Sequence, residues 1–141
     1  MLPIILLPLL LCVFNMYRRL TCVVKAKFTK FTFFTLLIVL VVMLSLGYKF
    51  RNDLSGYVVI MSWWLAFFTS IMSAGITEKG FVHPWQLIAK LYKWEKIRTF
   101  SIEKRKNTVM VNFKAIRDLR QEYDKSDLEK IKKIAKQNKL I

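Results

Sequence analysis

Three long stretches of the chain carry no charged side chain, and this limits its possible folds more than any other feature. They cover residues 1–17, 31–48 and 54–77, and charges close them off: Arg18 and Arg19, Lys30 and Lys49, Asp53 and Glu78. A helix rises about 1.5 Å per residue and a bilayer's hydrocarbon core is about 30 Å thick, so about 20 apolar residues span it. The stretches therefore read as three transmembrane helices. The first carries Pro3 and Pro8. Pro3 falls in a first turn, where a missing N–H costs little, and an internal proline such as Pro8 is tolerated in lipid. A cleaved leader would place positive charge before its apolar core and small residues at the cut. Here the charge follows the core, and Asn15-Met16-Tyr17-Arg18-Arg19 offers no such cut, so the stretch is expected to remain as an anchor.

Charge divides the chain into two regions. Residues 1–77 hold eight charged side chains, whereas residues 78–141 hold 17 basic and 8 acidic ones, +9 of the total +15. So much apolar content beside so much positive charge does not describe one soluble domain. The expected organisation is a transmembrane region, 1–77, and a basic cytoplasmic module, 78–141. Orientation follows from the excess of Lys and Arg on cytoplasmic loops. The first loop holds Arg18, Arg19, Lys25, Lys27 and Lys30 with no acid, while the second holds Lys49 and Arg51 against Asp53. An outside N-terminus and a cytoplasmic C-terminus keep both basic segments inside. No Asp, Glu, Lys, Arg or His lies deep in any span, which disfavours a stand-alone transporter. The third span carries Ser62, Ala66, Thr69, Ser70, Ser73 and Ala74. Small residues let helices approach closely, so these are the candidates for helix packing.

Beyond residue 77 the period changes. Thr77-Glu78-Lys79-Gly80 between apolar residues reads as a turn, with Gly80 supplying positive φ. Residues 85–92 fit either a helix lying on the membrane surface, with Trp85, Ile88, Ala89 and Tyr92 on one face, or a buried strand. Residues 98–103 and 108–114 alternate as strands around the turn Lys104-Arg105-Lys106-Asn107. A final helix is expected at about 127–138, opened by the capping box Ser126-Asp127-Leu128-Glu129, with Leu128, Ile131, Ile134 and Ala135 as its apolar stripe.

Ile76-Thr77-Glu78-Lys79-Gly80-Phe81, Trp94-Glu95-Lys96-Ile97 and the hairpin of 98–113 carry a resemblance. Over 75–113 the chain resembles small bacterial membrane proteins with a pleckstrin-homology-like module of unassigned function. The resemblance implies an antiparallel sheet closed by a helix, with no catalytic residues and no established ligand. Four strands are legible where the full fold has seven, so the expected class is a three-helix membrane protein with a reduced α+β module.

No enzyme is expected. The four glycines form no phosphate loop. His83 stands beside Pro84 without a nucleophile partner, and Cys12 and Cys22 lack metal-ligand spacing and read as small apolar fillers. No catalytic, cofactor-binding or metal residue is assigned. The basic residues are the strong signal, because a juxtamembrane cation gains about 1 kcal/mol near an anionic leaflet. Arg18, Arg19, Lys25, Lys27, Lys30, Lys104, Arg105 and Lys106 are the candidate lipid contacts. The expected partners are anionic lipids or another membrane protein; nucleic acid is disfavoured for want of a recognition motif. Self-immunity to a bacteriocin and an accessory role in a transporter complex are the alternative functions.

Overall fold

A computed structural model describes residues 2–50, 52–85 and 87–141, with Trp85 given by its backbone. Met1 of the first expected span, Arg51 of the second loop and Gln86 of the segment 85–92 lie outside the described residues. Three helices come first, α1 (Leu2–Thr21), α2 (Lys30–Phe50) and α3 (Leu54–Met72). All three are long and apolar enough to cross a membrane. Many of their large apolar side chains, such as Leu10, Phe34, Ile38 and Val58, are exposed, as suits helices surrounded by lipid.

The helix ends are set by local chemistry. α1 runs past Tyr17 to Thr21, so Arg18 and Arg19 occupy its last turn, where cations suit the helix dipole. At the start of α2 the Thr29 hydroxyl accepts from the Thr32 N–H at 3.1 Å. Asp53 caps α3 from an extended backbone, its carboxylate accepting from the Gly56 N–H at 2.9 Å. α3 stops at Met72, short of the expected end at Thr77. Ser73 turns both its N–H (3.2 Å) and its hydroxyl (2.5 Å) onto the Ser70 carbonyl, and the chain then leaves as a strand. Trp64 ties α3 to α2 by donating to the Leu36 carbonyl at 3.3 Å.

Among the described residues, seven strands form two antiparallel sheets. The first contains β1 (Val24–Lys25), β2 (Gly75–Thr77), β3 (Gly80–Trp85) and β4 (Ile88–Lys93), in that order. The second contains β5 (Thr99–Lys104), β6 (Thr108–Lys114) and β7 (Asp118–Asp124), and helix α4 (Leu128–Gln137) follows. The expected reduced sheet of four strands is thus too small. β1 escapes sequence reasoning because two residues between helices carry no period, and their partners Ile76 and Gly75 lie some fifty positions away. β7 escapes because its inward positions are Leu119, Gln121 and Tyr123, so a polar residue breaks the apolar alternation. Residues 88–93 are a strand rather than a surface helix, and Trp94–Lys96 is a 3-10 turn.

Other expectations hold. Thr77 pairs with Gly80 across the first tight turn, and Gly80 has φ 155°. A Cβ there would lie 2.0 Å from the Tyr92 carbonyl oxygen, so only glycine fits. The β5–β6 hairpin turns at 105–107, where the Arg105 N–H donates to the Thr108 carbonyl at 2.9 Å. α4 buries Ile131 and Ala135, with Leu128 and Ile134 half-buried beside them. Its start differs from the expected capping box. A 3-10 turn, Lys125–Asp127, leads directly into α4, and no side chain caps its first amides.

The two sheets and α4 enclose one core of Val24, Ile76, Phe81, Tyr92, Val109, Val111, Phe113, Tyr123 and Ile131, among others. At its centre Phe81 of β3 stacks on Phe113 of β6, with centroids 4.0 Å apart and planes 8° from parallel. Burying an aromatic side chain of this size stabilises the fold by about 1.5–3 kcal/mol.

Candidate functional site

The most informative region is the junction where helices and sheets meet. β1 belongs to the loop between α1 and α2, yet it is the edge of the first sheet. The loop then crosses to the second sheet, where the Lys27 N–H donates to the Glu122 carbonyl at 2.7 Å and the Lys27 ammonium lies 3.5 Å from Asp124. The first loop therefore stitches both sheets to the ends of two helices. Gly75 permits this, since a Cβ there would meet the Val24 carbonyl oxygen at 2.6 Å and Cys22 Sγ at 2.9 Å. Cys12 and Cys22 are free and buried, and Cys22 packs with Val82 and Ala89 as a small apolar filler.

Asn15 of α1 makes the second link. Its side chain is fully buried and its amide is satisfied at both ends. Nδ2 donates to the carbonyls of Leu87 (2.9 Å) and Ala66 (3.2 Å) and reaches Thr69 Oγ1 at 3.3 Å, while Oδ1 accepts from the Ala89 N–H at 2.9 Å. β4 is an edge strand, so the Leu87 carbonyl and the Ala89 N–H would otherwise point at nothing. The carboxamide supplies the one donor and one acceptor that a neighbouring strand would present. Sequence reasoning passed over Asn15; the available signal was a polar amide inside an uncharged apolar stretch, where burial is expensive unless a partner exists.

Of the expected helix-packing residues, Ala66 and Thr69 meet Asn15, and Ser73 and Ala74 follow the end of α3 beside the first loop. Ala66, Ser70 and Ser73 are fully buried, Ser62 and Thr69 nearly so, and Ala74 half-buried. Those from Ser62 to Ser70 lie on α3, the helix that packs against α1, and the backbone of Ala74 accepts from the Ala26 N–H at 3.0 Å. Arg19 fastens the end of α1 to the end of α3 by donating to the Met72 carbonyl.

The eight candidate lipid contacts separate into two groups. Arg18, Arg19, Lys25, Lys27 and Lys30 lie within or beside the α1–α2 connection, at the helix ends. Lys104, Arg105 and Lys106 stand on the β5–β6 turn, where Arg105 lies 3.7 Å from Glu103. Arg18 also lies over the Phe14 ring, 5.2 Å from its centroid.

Beneath the first loop lies a cavity of about 560 Å³, lined by the ends of all three helices and by β3, β6 and β7. One wall is a buried polar chain. Tyr123 donates to Gln121 Oε1, and Gln121 Nε2 donates to the Val82 carbonyl at 2.7 Å and lies 3.3 Å from His83 Nδ1. Because an amide nitrogen only donates, His83 Nδ1 accepts and the ring proton sits on Nε2. Burial, with Arg117 adding to it, lowers the His83 pKa to about 4 and keeps the ring neutral near neutral pH. Burial likewise pushes the Tyr123 hydroxyl well above its usual range, so it stays a donor.

Residues 70–140 match the domain of unknown function DUF5673. The chain belongs to that family. The DUF5673 match takes in β2–β7 and α4 and leaves out β1, which the first loop supplies. The last turn of α3 lies inside it, so the DUF5673 region and the helices share residues at the junction just described. No curated protein and no solved structure matches the chain.

Proposed function

We propose that this DUF5673 protein is a non-enzymatic multi-pass membrane protein whose basic cytoplasmic module engages an anionic lipid surface. In this reading the N-terminus is outside, the C-terminus is cytoplasmic, and the module is pleckstrin-homology-like. A four-stranded and a three-stranded antiparallel sheet followed by a helix support the last point. One observation carries the reading. The acid-free loop with Lys25 and Lys27 is itself part of the sheets, so the module is fixed at the level where α1 ends and α2 begins. Cations held there lie within a Debye length of lipid headgroups, about 10 Å at 0.1 M salt.

The test uses the full chain in nanodiscs of neutral lipid or of neutral lipid mixed with anionic lipid. Hydrogen exchange at the β5–β6 turn should slow in anionic discs and recover in high salt. Changing Lys104, Arg105 and Lys106 together to Gln should remove that protection. Equal exchange in both discs would reject surface engagement. A reporter active only outside should be active when fused near Asn52 and silent at Ile141; the reverse pattern would overturn the orientation.

A further inference from the structure

We infer that the junction cavity is a specific site for the phosphate head of one membrane amphiphile. This rests on the surface reading above and goes further, from a diffuse field to a single bound headgroup. The cavity lies where all three helices end, so in a spanning protein it sits at headgroup depth. Its lining is divided by chemistry. The helix ends and first loop contribute Phe28, Phe31, Ile71 and Met72, apolar surface suited to the start of acyl chains. Arg19, Lys27 and Arg120 line it as cations against Glu122, with Asp124 beside Lys27, so a net positive charge remains and it favours an anion. Arg120 is exposed and has no ion-pair partner among the described residues, which leaves its fork of donors available. The neutral His83 offers a further donor through Nε2, because Gln121 occupies Nδ1. A volume of about 560 Å³ admits a phosphodiester head together with the first part of its chains, and lies in the usual range for small-molecule sites.

The experiment uses full-length protein in nanodiscs of phosphatidylcholine mixed with phosphatidylglycerol, released for native mass spectrometry that counts retained lipids. The wild type should keep one phosphatidylglycerol in preference to phosphatidylcholine. Arg120→Gln should cut its occupancy about tenfold, the loss of one charge-assisted hydrogen bond. Met110→Trp, which leaves every charge in place and fills the cavity, should do the same. Lys133→Gln with Lys136→Gln removes two charges on α4, away from the cavity lining, and should leave occupancy unchanged. Unaltered retention in both cavity variants, with thermal stability preserved, would overturn the site. Protection of the β5–β6 turn in the same discs reports the surface reading separately: protection without a retained lipid sinks only the cavity, and loss of both sinks both. Inorganic phosphate separates the two sources of the same chemistry. If phosphate alone displaces the lipid at equal concentration, the ligand is a soluble phosphate and the lipid assignment fails.

Discussion

The helical region and the sheet region are stabilised in opposite ways. α1, α2 and α3 expose most of their large apolar side chains and meet one another through small residues and a few hydrogen bonds, above all those of Asn15 and Trp64. The sheets do the reverse, turning Phe81, Phe113, Val109 and Tyr123 inward to a core in which Phe81, Val109 and Tyr123 have no exposure. (Phe113 retains 2%.) The helices of the first region are long and apolar enough to cross a membrane, and in lipid little drives such helices together except close fit and polar contacts. Water surrounds the second, so burial drives it. Yet the sheet region is not self-contained, because one of its edges is β1 and the other is satisfied by Asn15.

The largest effect should come from cutting the regions apart. A fragment of residues 78–141 lacks β1 and β2 and leaves Phe81 and Val82 uncovered, so it should fail to fold. Well-dispersed amide resonances from that fragment would show that the sheets fold without β1 and β2. Phe113→Ala should cost about 3–5 kcal/mol, measured by denaturation in mild detergent, because it opens a cavity at the stacked pair. A comparable loss from Phe34→Ala, on the exposed face of α2, would show that the two regions are not stabilised differently.

Acid should act chiefly on the sheets. With its folded pKa lowered to about 4 from 6.5, His83 favours folding fully only above pH 6.5. As the pH falls from 6.5 toward 4 the unfolded chain takes up the proton first, and about 3 kcal/mol is lost by the bottom of that window. His83→Gln should flatten this part of the stability profile; an unchanged profile would show that carboxylates cause it. Asn15→Leu should cost about 1–3 kcal/mol by stranding the Ala89 N–H and the Leu87 carbonyl. Its signature is faster exchange at Ala89 with the Phe81–Phe113 core unchanged, and uniform loosening would mean Asn15 does more than link the regions. Ser126→Ala is the smallest, within about 0.5 kcal/mol, since α4 begins without a side-chain cap.

Much of this architecture is decided by local sequence. Uncharged runs long enough to span a bilayer determine α1, α2 and α3. Alternation in Val109, Val111 and Phe113 determines β6, Gly80 the turn before β3, and the stripe through Ile131 and Ala135 the helix α4. These signals are periodic or steric and act within a few residues. Only the tertiary structure decides that Val24 and Lys25 become a strand, that α3 yields its last residues to β2, and that β7 turns Gln121 inward. It alone also brings Asn15 to Ala89 and assembles the junction cavity from three helix ends and two sheets. A backbone amide or a cavity wall gains its partner from chain positions tens of residues away, and no local period records which partner that is.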